Sequence, residues 1–163
     1  MPTETNKKFH VGDTVEILSS SENYPEGELS NFSNFPFCID GVRCGGMEGF
    51  LQSLKFISKR RQREVAALFG KAAKHKGENK LLWKLTGIVF WQGKPYRRSG
   101  AAFTSLIGRA YDELFSSSPE FREALGATER KPLSHSIGKS KKRQTILTES
   151  EFISNLLRLR EKL

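Results

Sequence analysis

The chain has 163 residues, of which 37% are hydrophobic and 10% aromatic. This length and apolar content predict one packed domain and exclude a disordered polymer. The 27 lysines and arginines outnumber the 18 acidic residues, giving a formal net charge of +9. This charge favours a polyanionic partner such as a nucleic acid, a phosphorylated metabolite or a membrane surface, although a solvated basic surface that aids solubility would produce it too.

The sequence offers no sign of a membrane anchor or a metal site. It has no apolar segment of about 20 residues, and its N-terminal segment lacks the apolar core of a signal peptide, so we expect a cytoplasmic protein. Cys38 and Cys44 flank an Asp-Gly turn, where a disulfide is conceivable, but a reducing compartment favours free thiols. The three histidines are far apart in the sequence, and we expect neither a metal ion nor a cofactor.

The first predicted elements are short strands. Val15 and Ile17 alternate with polar residues, which is typical of a strand. Residues 19–31 are rich in Ser, Asn, Pro and Gly and are predicted to form a loop. Residues 37–44 contain two short apolar segments on either side of Asp-Gly, which predicts a β-hairpin with a type I′ turn.

A helix follows the paired glycines at positions 45 and 46. Its apolar residues recur at helical spacing and predict a buried stripe: Met47, Phe50, Leu51 and Leu54. Glu48, Gln52 and Lys55 are also separated by four and three residues. The same helix is therefore predicted to present a line of polar groups beside its apolar line.

Further helices are predicted along the rest of the chain. Val65, Leu68 and Phe69 mark a second helix, preceded by the basic segment 59–63. Residues 88–91 indicate a short strand, and Gly93 lies in the turn that follows it.

Helix caps mark the C-terminal half of the sequence. Ser99 is predicted to cap a long helix that contains apolar residues from 103 to 115. Ser118 followed by proline begins another helix, and Thr148 with Glu151 forms a capping box before the last one.

The predicted fold class is α+β, predominantly helical, with a small N-terminal antiparallel β element. We predict a flexible tail at residues 1–10 and a single domain at residues 11–163. Strands and helices do not alternate as in βαβ units, so a doubly wound parallel sheet is not expected.

Residues 27–56 carry a specific resemblance. They read GELSNFSNFPFCIDGVRCGGMEGFLQSLKF, which resembles the opening of the NADAR (YbiA-like) family: Leu-Ser-Asn-Phe, Pro-Phe, an Asp-Gly turn, then a helix led by Glu. Weaker matches follow in order at residues 70–74, 109–115, 121–128 and 133–138. The sequence also departs from the family, since glycine follows Glu48 where histidine is common, Ile-Gly replaces Trp-Gly at residues 137–138, and the usual Asp near that Trp-Gly is absent.

The resemblance implies a YbiA-like fold and an N-glycosidase that cleaves a C1′–N bond of a ribosyl compound. Two substrate classes are associated with the family: phosphoribosylated aminopyrimidines of riboflavin synthesis, and ADP-ribose attached to nucleobases such as guanine. Glu48 is the expected catalytic carboxylate, because it can stabilise positive charge on the sugar and take a proton from water. An acid in the first turn of a helix is also favourable simply because it offsets the helix dipole.

Cationic and polar side chains are candidates for binding the phosphates and the ribose. Lys55 shares a helix face with Glu48 and is expected to reach a 5′-phosphate, while Gln52 binds ribose hydroxyls. Lys71 and Lys74 are further phosphate candidates, and a solvated surface charge is the alternative interpretation for each.

Three more residues are candidates for contacts with the base and the sugar. Asn31 and Phe32 are expected to hold the base and stack on it, although a loop asparagine and a core phenylalanine would look the same. His135 lies in a Ser-His-Ser loop and is a candidate donor to the leaving group or the ribose.

Two other functions remain open. One is a module that binds ADP-ribose or an NAD-derived ligand without cleaving it, and the other is a basic nucleic-acid-binding protein. The basic segments 59–63 and 139–143 favour an ADP-ribosylated nucleic acid over a free ribosyl phosphate as partner. They contain no interleaved aromatic residues and so do not resemble a groove that stacks single strands. The sequence does not predict an oligomeric state.

Overall fold

The strands are short and pair two by two in the computed structural model, which describes residues 8–9 and 13–163. Strand β1 (Lys8–Phe9) runs parallel to β3 (Asn23–Tyr24), and β2 (Val15–Glu16) runs parallel to β8 (Leu133–Ser134). The remaining residues of the predicted tail, 1–7 and 10, lie outside the described residues. Because β3 lies within residues 19–31, the segment predicted as a loop contains a strand.

The predicted β-hairpin is confirmed. Strands β4 (Phe37–Ile39) and β5 (Val42–Cys44) pair antiparallel, and both turn residues have positive φ, 49° at Asp40 and 76° at Gly41, as a type I′ turn requires. The register pairs Phe37 with Cys44, so Cys38 faces the other side of the hairpin. Both thiols are free, and burial raises the pKa of Cys44 to about 12.

Four short helices and a second hairpin form the middle of the chain: α1 (Met47–Ser53), α2 (Lys59–Ala66), α3 (Gly70–Gly77), α4 (Leu82–Thr86), β6 (Ile88–Trp91) and β7 (Lys94–Arg97). The basic segment 59–63 forms the first turns of α2 instead of preceding it. The helix begins earlier because Ser58 caps it, its hydroxyl accepting a hydrogen bond from the Arg61 amide at 3.4 Å. The pattern of apolar residues did not reveal this cap.

Three further helices complete the domain: α5 (Ala101–Ser117), α6 (Pro119–Gly126) and α7 (Glu149–Arg160). The prediction that Ser99 caps α5 is wrong, because Gly100 occupies the N-cap. The other two caps are confirmed. Ser118 accepts a hydrogen bond from the Phe121 amide at 3.1 Å, and Thr148 forms the full capping box with Glu151.

Helix α1 lies at the centre of the apolar core. Its Phe50 ring contacts Phe37 and Trp91 edge to face, with ring centroids 6.3 and 5.0 Å apart. Gly49, on the same helix, is pressed against the segment that follows α2, and a Cβ there would overlap the Leu68 carbonyl oxygen. The result is a predominantly helical α+β domain, as predicted, in which α1 is enclosed on most sides. No described helix has the length and apolar character needed to span a bilayer.

A buried ion pair joins the second hairpin to the last helix. Arg98 is 3% exposed and binds Glu151 through both terminal nitrogens, at 2.5 and 3.1 Å, while its Nε donates to the Thr145 carbonyl. Burial raises the pKa of Glu151, but hydrogen bonds from Arg98 and from the Thr148 amide outweigh it, and the pKa lies below its usual value. This carboxylate therefore stabilises the fold above its unfolded pKa, and that contribution is lost as the pH falls through the folded pKa.

Replacing Arg98 with alanine is expected to destabilise the fold by about 3–5 kcal/mol, because Glu151 then loses its cationic partner in a largely buried position. Urea unfolding followed by circular dichroism measures the change. Arg97→Ala is the matched control, since Arg97 is exposed, and should change the free energy of unfolding by less than about 0.5 kcal/mol. Equal effects of the two substitutions would contradict a structural role for the pair.

Candidate functional site

A half-open cavity of about 420 Å³ lies beside the polar face of α1. Seven of the eight side chains predicted to form the site line it: Asn31, Phe32, Glu48, Gln52, Lys55, Lys74 and His135. The eighth, Lys71, is exposed on α3 and is not among the lining residues. The cavity therefore unites residues from three distant parts of the chain.

Glu48 is buried at this cavity, with 9% of its surface exposed. Its amide donates to the Asn31 carbonyl at 3.1 Å, which ties the first turn of α1 to the preceding loop. Burial raises the pKa of the Glu48 carboxyl above its usual value, and the Gln52 hydrogen bond and the charges of Lys55 and Lys74 oppose this shift without cancelling it. The group is thus a carboxylate that accepts protons more readily than an exposed glutamate.

Gln52 holds the Glu48 carboxylate in place. Its Nε2 donates to Glu48 Oε1 at 2.8 Å, one helical turn away. Its Oε1 is enclosed and has no hydrogen-bond partner among the described residues. That oxygen lies against Gly77 of α3, where a Cβ would overlap it. The amide is therefore directed at the carboxylate on one side and packed against α3 on the other.

Lys55 provides the positive charge closest in sequence to this pair. Its Nζ donates to the Gly77 carbonyl at 3.2 Å and lies 5.9 Å from the centre of the Trp83 ring. Burial lowers its pKa to about 8, an effect that the Glu48 charge opposes and that Lys84 and Lys139 reinforce. Lys55 is therefore a partly buried cation with other lysines nearby, and its pKa lies close to neutral pH.

Asn31 is oriented by a buried tyrosine on α5. The Tyr111 hydroxyl donates to Asn31 Oδ1 at 2.7 Å, and burial raises the pKa of Tyr111, so the phenol stays protonated. With its oxygen accepting from Tyr111, Asn31 has its amide nitrogen left as a hydrogen-bond donor. Next to it, the Phe32 ring is covered by the Lys74 ammonium, whose Nζ lies 5.7 Å from the ring centre.

His135 enters the cavity from the segment after β8. Its Nδ1 lies 2.7 Å from the Ile17 carbonyl oxygen, so Nδ1 carries the proton and Nε2 of the neutral ring is free of one. Its ring packs edge to face on Phe152, with centroids 5.1 Å apart. The histidine therefore has a fixed orientation and, when neutral, a hydrogen-bond acceptor at Nε2.

Glu16 clamps the two serines that flank this histidine. Its carboxylate accepts hydrogen bonds from the Ser134 hydroxyl, from the Ser136 amide at 2.8 Å and from the Ser136 hydroxyl at 2.6 Å. Burial raises the pKa of Glu16, but these hydrogen bonds outweigh it and lower the pKa below its usual value. Sequence reasoning missed Glu16, because only the parallel pairing of β2 with β8 brings it to the Ser-His-Ser loop.

Several other residues that were not predicted as site residues line the cavity, including Trp83, Lys84 and Lys139. With Lys55 and Lys74, the last two bring four lysines to one cavity that contains two acids, Glu48 and Glu78. The two basic segments gave only a general signal, since no pattern in the sequence shows that Lys139 lies opposite α1. The cavity is therefore more cationic than the sequence indicated.

Gly49 and Ile137, where the chain differs from the NADAR pattern, lie in different places. Gly49 does not line the cavity. It faces the carbonyl groups that follow α2, and because they are so close, no larger side chain fits there without moving that segment. Ile137 lines the cavity but is 67% exposed. Within the described part of the chain, no group of three or more His, Cys, Asp and Glu side chains is placed to hold a metal ion.

Comparisons with known proteins identify relatives over nearly the whole chain. The family model described as bacteriophage protein GP30.3 matches residues 23–161. A relative from Enterobacteria phage T4, an uncharacterized 17.1 kDa protein of the Gp30–rIII intergenic region, is 40% identical over 147 residues, which are 90% of this chain and 97% of the relative.

Among solved structures, the NMR structure of the Escherichia coli protein YbiA has a similar fold. The TM-score is 0.61, and the alignment covers 95% of this chain and 88% of YbiA at 17% identity. At this identity the likeness shows the fold alone. The expected YbiA-like architecture is thus confirmed.

We predict that Lys55 titrates near pH 8 and that Glu48→Gln lowers its pKa further, because the glutamate charge raises the pKa of this lysine. NMR titration of the lysine side-chain resonances measures both values. Glu113→Gln, which removes an exposed acid on α5, should leave the Lys55 titration unchanged. A pKa for Lys55 at the value of an exposed lysine would contradict the burial described above.

We also predict that Glu16→Ala loosens the loop that carries His135. The Ser136 amide loses a charged acceptor, so its hydrogen exchange should accelerate by roughly tenfold or more. Exchange measured by NMR tests this. Asp13→Ala, an exposed acid near the same strand, is the control and should leave the Ser136 amide protected. Unchanged protection in Glu16→Ala would show that the clamp does not hold the loop.

Proposed function

The chain belongs to the bacteriophage GP30.3 protein family, and we propose that it is an N-glycosidase that hydrolyses the C1′–N bond of an ADP-ribosyl or phosphoribosyl adduct. One observation carries this proposal: a buried carboxylate with a raised pKa, Glu48, lies in a cavity lined by four lysines. The YbiA-like fold is compatible with an enzyme of this kind, and the resemblance at residues 27–56 supports the same reaction.

Glu48 is the proposed base. Its raised pKa makes it a stronger proton acceptor than an exposed carboxylate, yet it is still ionised above that pKa. A negative charge at this position also stabilises the positive charge that develops on the ribose as the glycosidic bond lengthens. In this proposal Gln52 orients the carboxylate through its hydrogen bond to Oε1.

The reaction consumes one water molecule. Glu48 takes a proton from the water, and the resulting hydroxide bonds to C1′ while the C1′–N bond breaks. The bonding electrons pass to the nitrogen of the leaving base, which then takes the proton from Glu48. The products are ADP-ribose or ribose phosphate and the unmodified base, which stays in its strand when the substrate is a nucleic acid, and the carboxylate is regenerated.

The remaining lining residues suit the other parts of such a substrate. Lys55 and Lys74 supply charge for phosphates, and the presence of four lysines favours a diphosphate, as in ADP-ribose, over a single phosphate. Asn31 offers its amide nitrogen to the base, and Phe32 offers a ring face. Lys71 has no part in this arrangement, because it does not line the cavity.

His135 is assigned to the ribose. With Nδ1 donating to Ile17, the neutral ring presents Nε2 as an acceptor, which suits a ribose hydroxyl. Donation to the leaving base would require the protonated ring.

From all of these lining residues together, the expected partner is an ADP-ribosylated nucleobase or nucleic acid, or a ribosyl phosphate.

A second candidate function is binding of ADP-ribose or an NAD-derived ligand without cleavage. The observation that favours it is Ile137, which lines the cavity and is largely exposed where the NADAR pattern has tryptophan. Gly49 does not support this alternative, because it faces away from the cavity toward Leu68.

Glu48→Gln tests the proposal. It should lower kcat by roughly 100-fold or more, since a positioned general base contributes about that much. Affinity for ADP-ribose should stay within a few-fold of the parent value, because glutamine preserves the shape of the site. The assay incubates the protein with a ribosylaminopyrimidine phosphate, ADP-ribosyl guanosine and ADP-ribosylated DNA, and measures release of the sugar phosphate by mass spectrometry.

Glu113→Gln is the control for this assay and should retain the activity of the parent protein. If Glu48→Gln cleaved any of these substrates as fast as the parent, the mechanism would be wrong. Saturable binding of ADP-ribose by the parent protein without cleavage of any of the three substrates would support the binding module instead.

A further inference from the structure

A second cavity, of about 640 Å³, opens next to the one that contains Glu48. Most of its wall is apolar and is formed by Phe56, Ile57, Leu81, Leu82, Ile88 and Phe90. A volume of this size is typical of sites that hold a small organic group. No part of the proposed glycosidase mechanism uses this cavity.

The two cavities share a wall. Lys55, Leu81 and Trp83 line both of them. The Trp83 ring has two ammonium groups over it, Lys55 at 5.9 Å and Lys84 at 5.8 Å from its centre. A ligand in the second cavity is therefore separated from one at Glu48 by a single layer of side chains that already carries positive charge.

The rim of the second cavity exposes apolar side chains to solvent. Ile57 is 57% exposed, Leu81 is 52% exposed and Leu82 is 58% exposed. Leu85, on the same short helix as Leu82, is 86% exposed. A group of large exposed aliphatic residues around a cavity indicates a surface that binds a ligand or a partner molecule.

The charges around this cavity determine what kind of ligand fits. Lys55, Arg61 and Lys80 line it, and none of the described residues that line it is acidic. Arg61 pairs with Glu64 at 3.0 Å, but both side chains are about half exposed, so this pair leaves much of the positive field in place. An apolar cavity with three cations among its lining residues fits a ligand that combines flat apolar rings with anionic groups.

Single-stranded nucleic acid has this combination, because its bases enter apolar or aromatic sites while its phosphates contact lysine and arginine. Asn79 also lines the cavity and offers both a donor and an acceptor to the edge of a base. An acidic protein segment would satisfy the cations, but it would not explain the continuity with a cavity suited to a base, a sugar and phosphates.

We propose that the second cavity binds the nucleotide next to the modified one, so that the substrate is a single-stranded nucleic acid rather than a free nucleoside. This inference rests on the proposed N-glycosidase function. In this arrangement the modified base and its ADP-ribose occupy the Glu48 cavity, and the neighbouring base enters between Leu82 and Phe90. The connecting phosphate contacts Lys55 at the shared wall.

Binding of an unmodified single-stranded oligodeoxynucleotide tests the inference without any cleavage. Fluorescence anisotropy should show binding to the parent protein that weakens with salt, with a slope of log K against log salt of roughly −2 for three phosphate contacts. Leu82→Glu should weaken this binding by about tenfold or more, because it places a charge in the apolar wall. Leu157→Glu, which changes an exposed leucine on α7, is the matched control and should bind like the parent protein.

Cleavage assays separate this site from the catalytic one. Leu82→Glu should lower kcat/KM by about tenfold for an ADP-ribosylated single-stranded oligonucleotide and leave that for ADP-ribosyl guanosine within twofold. Equal losses on both substrates would overturn the proposal, because the cavity would then hold part of the ADP-ribose itself. Equal oligonucleotide affinity in the parent protein and Leu82→Glu would overturn it too, as would saturable binding of a polyglutamate peptide in place of the oligonucleotide. If neither substrate were cleaved, the proposed glycosidase function would be wrong. The anisotropy comparison of the parent protein with Leu82→Glu would still show whether this cavity binds a single strand.

Discussion

The withdrawal of the Glu48 carboxylate from water is the constraint on which the site depends. Burial makes the ionised form less favourable, and the Gln52 hydrogen bond with the charges of Lys55 and Lys74 offsets only part of that cost, so the pKa stays raised. The same burial acts on Lys55 in the opposite sense and lowers its pKa to about 8. Glu48 and Lys55 therefore each favour the charged form of the other, and a change to either residue alters the protonation of both.

This burial depends on two glycines, at positions 49 and 77, where a Cβ would overlap neighbouring atoms. Gly49 allows the helix to contact the carbonyl groups that follow α2, and Gly77 allows α3 to approach Gln52. A larger side chain at either position would displace the polar face of α1 from the cavity. The glycine that departs from the NADAR pattern at position 49 is therefore explained by packing in this chain, and the carboxylate next to it stays at the cavity wall.

Features that depend on neighbours in the sequence were predictable, and those that depend on distant segments were not. The Asp40-Gly41 turn, the Ser118 cap and the Thr148–Glu151 capping box are each formed within a few residues, and all three are present. The hydrogen bond from Tyr111 to Asn31 spans 80 residues, and that from Ser134 to Glu16 spans 118. Helix α4 has only five residues and exposes its leucines, so its pattern gives no helical signal. The eight predicted site residues came largely from the family resemblance, and no periodicity shows that seven of them line one cavity.

The lysines of the cavity connect ligand binding to the chemistry that we propose. Without a ligand, Lys55 and Lys74 lower the pKa of Glu48 and so oppose the effect of burial. Phosphates bound to these lysines would place negative charge beside them and weaken their effect on the carboxylate. The pKa of Glu48 would then rise further, which makes the carboxylate a stronger base when the substrate is in place. The cations that bind the phosphates thereby also couple occupancy of the cavity to the basicity of the group that activates water.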